Sequence, residues 1–212
     1  PERTLVASNL RPATPPVPAV GADGALGDLV QLETLPGQPG PLRKEQPFSK
    51  PHFNPFDPSG QFVLVPDKGL DRIFSFRFTD GRLIPSQQPW VDTREGAGPR
   101  HLAFHPHGAF AYAVNELDST VTTYRFDRST GALAALQVLP SLPEEFTGNS
   151  RAAEIEVRAD GRFVYASNRG CDSIAVFAVE EAGARLRRVS VVPSAGRTPR
   201  FFTQSPGGTH LW

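Results

Sequence analysis

The chain holds a single cysteine, Cys171, among 212 residues. One thiol cannot build an intrachain disulfide framework or a cysteine-based zinc site, so packing alone must hold the fold. An excess of charge of one sign is missing too: 22 Lys and Arg face 22 Asp and Glu, for a formal net charge of zero. That excludes a generic electrostatic grip on nucleic acid or anionic lipid, and leaves any anionic ligand to local Arg and His. No apolar run approaches the roughly 18 residues of a membrane-spanning helix, and no charged-then-apolar leader opens the sequence. These absences predict a cytoplasmic protein with no membrane or nucleic-acid partner. Histidines and carboxylates lack metal-ligand spacing and no phosphate-cradling glycine motif occurs, so neither a metal nor a cofactor is expected. A 3.6-residue apolar period is also absent, which argues against helical repeats.

What the sequence does contain is one pattern written several times. A Gly opens a short apolar strand that ends in Asp or Asn, a second apolar strand follows, and a Gly-x-Leu corner closes the copy. The clearest copies are Gly60-Gln-Phe-Val-Leu-Val-Pro-Asp67, Gly108-Ala-Phe-Ala-Tyr-Ala-Val-Asn115 and Gly161-Arg-Phe-Val-Tyr-Ala-Ser-Asn168. Their glycines are 48 and 53 residues apart, and Gly208 stands 47 further on. A repeat of this length made only of strands predicts an all-β fold, a β-propeller of four-stranded antiparallel blades.

The parse gives blades over 48–97, 98–150 and 151–197, an irregular incomplete blade over 1–47, and the start of another over 198–212, all in one domain. Arg3-Thr-Leu-Val-Ala-Ser-Asn9 reads as a second strand whose first strand is missing. About four of seven blades are represented, and a chain that starts and stops inside strands is expected to be a fragment. Open blade faces would favour self-association. The stretch 11–20 has four prolines, and 35–47 is rich in Pro and Gly; both are expected as loops or edge pieces. The phenylalanines Phe62, Phe104, Phe110, Phe163 and Phe177 are expected between blades.

Strand direction sorts the polar residues. Neighbouring strands of a blade are antiparallel, so the start of the first and the end of the second lie on one rim. Counting back from the turn prolines Pro58, Pro106 and Pro206 gives His52, Arg100 and Arg200, while the third copy offers Ala153 and Glu154. The second strands end at Asp67-Lys68, Asn115-Glu116 and Asn168-Arg169. One rim thus gathers His52, Arg100, His101, Glu116, Glu154, Arg169 and Arg200. Arg forks suit a carboxylate, phosphate or developing oxyanion, and an imidazole or carboxylate could activate water. His105, His107 and His210 fall on the opposite side and are expected as solvated surface residues. Cys171 reads as a packed or partly exposed thiol.

Several runs on this rim carry a resemblance. Gly98-Pro-Arg-His101, Val114-Asn-Glu-Leu117, Leu142-Pro-Glu-Glu-Phe146, Ala152-Ala-Glu-Ile155, Ser167-Asn-Arg-Gly170 and Asp172-Ser-Ile-Ala-Val-Phe177 resemble the seven-bladed propeller lactonases. That family includes bacterial 6-phosphogluconolactonases and the fungal carboxy-cis,cis-muconate lactonizing enzyme. The resemblance implies a small anionic lactone opened by water without a metal, with 6-phosphogluconolactone as the leading substrate. It places candidate catalytic positions on His52, Arg100, Glu116 and Arg169. Arg100 and Arg169 would bind the anion and oxyanion, and His52 or Glu116 would be the general base, Glu116 favoured because a neighbouring Arg keeps it ionised. His101, Asn115, Glu154, Asn168 and Arg200 are the expected substrate-binding residues. A muconate-type cycloisomerase and a non-catalytic propeller scaffold are the alternatives; the Trp-Asp and Gly-His marks of interaction propellers are absent.

Overall fold

The computed structural model describes residues 4–10 and 13–212. Arg3, at the head of the N-terminal copy, and Arg11 and Pro12 of the proline-rich stretch lie outside the described residues. The described chain is all-β, in four antiparallel sheets. The first pairs β1 (Pro16–Val20) with β2 (Leu26–Leu32). The second is β3 (Phe62–Asp67), β4 (Arg72–Thr79) and β5 (Arg82–Asp92). The third is β6 (Pro99–Phe104), β7 (Phe110–Asn115), β8 (Thr120–Phe126) and β9 (Leu133–Pro140). The fourth is β10 (Arg151–Val157), β11 (Phe163–Arg169), β12 (Ser173–Glu180) and β13 (Arg185–Pro193). Sheet order equals chain order throughout, so each sheet is a meander.

The second strands read as continuous apolar runs because both of their faces are buried. Side chains alternate along a strand, and the alternation divides each run between two interfaces. Phe62 and Leu64 of β3 pack with Ala111 and Ala113 of β7, while Val63 and Val65 pack with Val6, Val17 and Leu35. Tyr112 and Val114 of β7 turn the other way, onto Val164, Ala166 and Phe177 of the fourth sheet. The second and third sheets therefore each supply half of two cores. Phe62 and Phe177 are fully buried, whereas Phe104, Phe110 and Phe163 are only partly so.

One expectation is corrected here. The proline-rich stretch is not only loop: Pro16–Val20 is a strand between two neighbours. Its proline nitrogens donate nothing, yet the Pro18 and Pro16 carbonyls accept from Leu5 N and Ala7 N at 3.0 and 3.1 Å, and β2 pairs on the other side. Losing donors while keeping acceptors leaves a thinned ladder rather than none. The segment 51–56 makes the converse point. It runs beside β3 but pairs only at Pro51 with Asp67 and Phe56 with Val63, because its prolines interrupt the ladder.

The turn glycines Gly60, Gly108 and Gly161 all hold φ near +72° (72, 71 and 72°), a left-handed corner that disfavours a Cβ. Gly131 shares a positive φ of 77° but sits at a blade interface, where an added Cβ would lie 2.4 Å from the Phe62 ring. Substitution separates the two costs. Gly60→Ala, with nothing within 4 Å of its Cβ, is expected to lose about 1 kcal/mol in urea unfolding. Gly131→Ala should lose a further ~1–3 kcal/mol from overpacking.

Candidate functional site

The repeat brings the predicted rim together at one place. Lys68, Glu116 and Arg169 occupy the same position at or just past the ends of β3, β7 and β11, so three neighbouring blades deliver them to a common centre. Glu116 is that centre. Its Oε1 accepts from Lys68 Nζ at 2.8 Å and lies 3.7 Å from Arg151 Nη1. Its Oε2 lies 3.1 Å from Arg100 Nε and 3.2 Å from Arg169 Nη2. Glu116 is 4% exposed and Arg100 2%. Burial works to raise the Glu116 pKa, but the Lys68 hydrogen bond and the charges of Lys68, Arg169 and Arg100 outweigh it, and the net shift is downward. Burial pulls Arg100 down to about 10, against the supporting charge of Glu116.

Backbone carbonyls aim the arginines. Arg100 Nη1 donates to Ala153 O at 2.6 Å and Arg169 Nη2 to Ala152 O at 3.0 Å, so each reaches β10 as well as Glu116. The entry to β6 is fixed from the preceding blade: the Asp71 carboxylate accepts from Gly96 N at 2.7 Å and Gly98 N at 2.8 Å, two residues before Arg100. Asp172 does the same for the segment leading to Arg200, accepting from Thr198 N at 2.9 Å. Arg200 itself is exposed and has no partner among the described residues, although its charge is felt at Arg100.

Two imidazoles stand beside this cluster. The His52 ring lies 5.2 Å from that of His101, and its Nδ1 is buried with no hydrogen-bond partner. Burial, then the charges of Arg100 and His101, push its pKa down to about 3, so His52 is neutral at neutral pH. His101 is stacked on Phe53 at 4.4 Å and its Nδ1 lies 2.7 Å from Glu154 Oε1. That carboxylate is 6% exposed and also accepts from Ile155 N. With Nδ1–H given to Glu154, the other ring nitrogen keeps a lone pair. His101 and Glu154 edge a cleft of about 430 Å³ whose other walls include Phe53, Phe104 and Phe201.

Asn115 and Asn168 are different. They are 1% and 0% exposed and tie turns together. Asn115 Nδ2 donates to Thr120 and Thr122 Oγ1 at 2.9 and 3.0 Å, and Asn168 Nδ2 donates to Ser141 O at 3.0 Å. Both amide nitrogens are thus engaged inside the structure, while Asn115 Oδ1 is buried without a hydrogen-bond partner. The expectation for His105 is corrected: it is buried at 4%, with Nε2 3.2 Å from Gly161 O, while His107 and His210 are exposed. Cys171 is partly buried.

Three charged residues were missing from the sequence-based set. Lys68 carries the same repeat signal as Glu116 and Arg169 and could have been found from it. Arg151, at the first position of β10, matches Lys50 of the earlier copy, whereas Glu45, in the 35–47 segment, carries no such signal. They meet across 106 residues of chain, Arg151 Nη1 and Nη2 lying 2.7 and 2.8 Å from the Glu45 carboxylate.

Acid should weaken this arrangement. The folded pKa of His52, about 3, lies below its ordinary 6.5, so between those values the unfolded chain binds the extra proton and stability falls as pH falls. Glu116 adds stability above the ordinary carboxylate range that is lost as pH drops through its lowered pKa. Urea unfolding of the protein and its His52→Asn variant between pH 6.5 and 5 tests the first effect. The variant is expected to show the shallower loss, the difference being at most about 1.4 kcal/mol per pH unit. Equal slopes would contradict the neutral buried imidazole.

Comparison with known proteins agrees with this architecture. The family model described as "Lactonase, 7-bladed beta-propeller" matches residues 2–212. A 6-phosphogluconolactonase of Bacillus subtilis is 38% identical over 164 residues, covering 77% of this chain and 46% of the relative. That of Serratia proteamaculans is 37% identical over 169 residues, covering 79% and 51%. A Lactobacillus plantarum protein of known structure superposes with a TM-score of 0.91 at 32% identity, over 99% of this chain and 60% of that one. The periplasmic gluconolactonase of Pseudomonas aeruginosa gives 0.88 at 34%, over 98% and 58%. The chain spans about half the length of the curated relatives it matches. With its meandering blades and a shared rim of Arg, Glu and His, it belongs to the seven-bladed β-propeller lactonase family.

Proposed function

We propose that the protein is a lactonase that hydrolyses an anionic sugar-acid lactone, with 6-phosphogluconolactone as its substrate. The observation that carries this reading is the charge of the rim. Among the described residues Lys68, Arg100, Arg151 and Arg169 form ion pairs only with Glu45 and Glu116, four cations against two carboxylates, which leaves two positive charges for a ligand to balance. A phosphate dianion matches that surplus. The names of the relatives point the same way.

In this reading Arg100 and Arg169 hold the lactone carbonyl and the oxyanion that forms on it. Glu116 is a poor general base, because both of its oxygens are engaged by cations that lower its proton affinity. The proton goes instead to an imidazole. His101 is the better placed, since Glu154 fixes its orientation and stabilises the imidazolium that forms. His52, neutral beside it, keeps a second positive charge away. Water adds to the carbonyl carbon as His101 takes its proton. The ring C–O bond then breaks, and the same proton passes to the departing oxygen. The substrate's phosphate, which keeps such a compound inside a cell, goes with a cytoplasmic location.

Hydrolysis of fresh 6-phosphogluconolactone, followed against its spontaneous rate, tests the reading. His101→Ala is expected to lower kcat about 10²–10⁴-fold, and Glu154→Gln to lower kcat with KM little changed. Arg169→Ala should raise KM. No acceleration over the spontaneous rate by the full-length protein would overturn the lactonase reading, and full activity in His101→Ala would return the base role to His52.

A further inference from the structure

The 35–47 segment crosses the rim and is firmly seated. Gln46 is fully buried, its Nε2 donating to Lys68 O at 2.9 Å and its Oε1 accepting from Leu42 N at 3.2 Å, and Gly40 N bonds Gly69 O at 2.8 Å. The residue before Gln46 is Glu45, so its backbone is fixed while its side chain reaches outward, 31% exposed. Three cations surround it. Arg151 grips the carboxylate with both terminal nitrogens, Lys68 Nζ lies 3.7 Å from Oε2, and Lys50 Nζ donates to the Glu45 carbonyl at 2.6 Å. Lys50 and Arg151 stand at matching places of their blades, each two residues before the strand-start position held by His52 and Ala153. Lys68 also binds Glu116, and Arg151 lies 3.7 Å from the same carboxylate, so this outer cluster is continuous with the inner site.

A two-pronged Arg beside two lysines has the geometry of a phosphate receptor, and here a carboxylate of the same protein fills it. An exposed ion pair adds little to stability, so the fold gives small reason for it. Rotation of the Glu45 side chain alone would vacate the position, because Gln46 holds the strand of backbone behind it.

We propose that Lys50, Lys68 and Arg151 form an outer anion subsite that receives the substrate's phosphate group, and that Glu45 is its resident counter-anion, displaced when the phosphate arrives. The substrate assignment rests on the lactonase reading, whereas the subsite itself is defined by phosphate binding. Glu45 then sets selectivity: a ligand with a strong dianion expels it, and an uncharged sugar-acid tail does not.

The test is calorimetric titration of the full-length protein with inorganic phosphate, which needs no turnover. Glu45→Gln removes the competitor and should tighten phosphate binding about tenfold. Adding Arg151→Gln to that variant should abolish the gain, and Arg151→Gln alone should weaken binding relative to the unaltered protein. A purely structural Glu45 predicts the opposite sign, since loss of the pair would leave Arg151 and Lys68 less ordered. Unchanged or weaker binding in Glu45→Gln, or a gain that survives Arg151→Gln, overturns the proposal. If Glu45→Gln does not fold, Arg151→Gln decides: a loss of phosphate affinity supports the subsite and unchanged affinity overturns it. A protein that shows these shifts without hydrolysing lactone keeps the subsite and loses the lactonase reading; one that hydrolyses lactone with unmoved phosphate affinity loses the subsite alone.

Discussion

A carboxylate taken almost wholly out of water must be compensated on every side, and Glu116 is such a group. Lys68, Arg100, Arg151 and Arg169 come to it from three blades, and each of those cations would itself be costly to bury unpaired. The pairing is mutual: the anion fixes where the cations point, and the cations hold the anion ionised and unreactive. Carbonyls of β10 take up further guanidinium donors, so the arginines are locked in direction as well as position. What remains is a set of cations fixed in direction, which in the proposed reading receives an anion with little reorganisation.

The fold makes this convergence cheap. Because β3 and β7 each bury one set of side chains against the blade before and the alternate set against the blade after, neighbouring blades are held in a constant relation. Equivalent positions in successive copies then fall at equivalent places around one axis. Asp71 and Asp172 carry the relation across the connections, each tying its own blade's corner to the backbone that leads into the next rim arginine. Outer strands β5, β9 and β13 play little part in this; the inner ones set the chemistry.

How much of this was legible in the sequence follows from the same logic. The blades could be read because their signal is local and repeated: a glycine corner, an apolar run buried on both sides, a polar residue at its end. Arg100, Glu116 and Arg169 could be read because repeat register places them without any knowledge of tertiary contacts. Asn115 and Asn168 show where register fails. It locates a residue on the rim but not the direction of its side chain: the Asn115 amide nitrogen turns to Thr120 and Thr122 of its own blade, and Asn168 to Ser141 of the blade before. Glu45 lay beyond reach for another reason, since the segment carrying it falls outside the regular copies and its position depends on the buried Gln46. Pro16–Val20 was misjudged because proline counts register lost donors and overlook surviving acceptors.

In the proposed reading Glu116 is the organising counter-charge of the rim rather than its reacting base. Urea unfolding of Glu116→Gln at neutral pH addresses this most directly, because a keystone charge and a reactive one differ in what their loss does to the folded state. Removing the carboxylate leaves buried cations unpaired, and a loss of about 3–5 kcal/mol is expected. A variant as stable as the unaltered protein, or more stable, would contradict it.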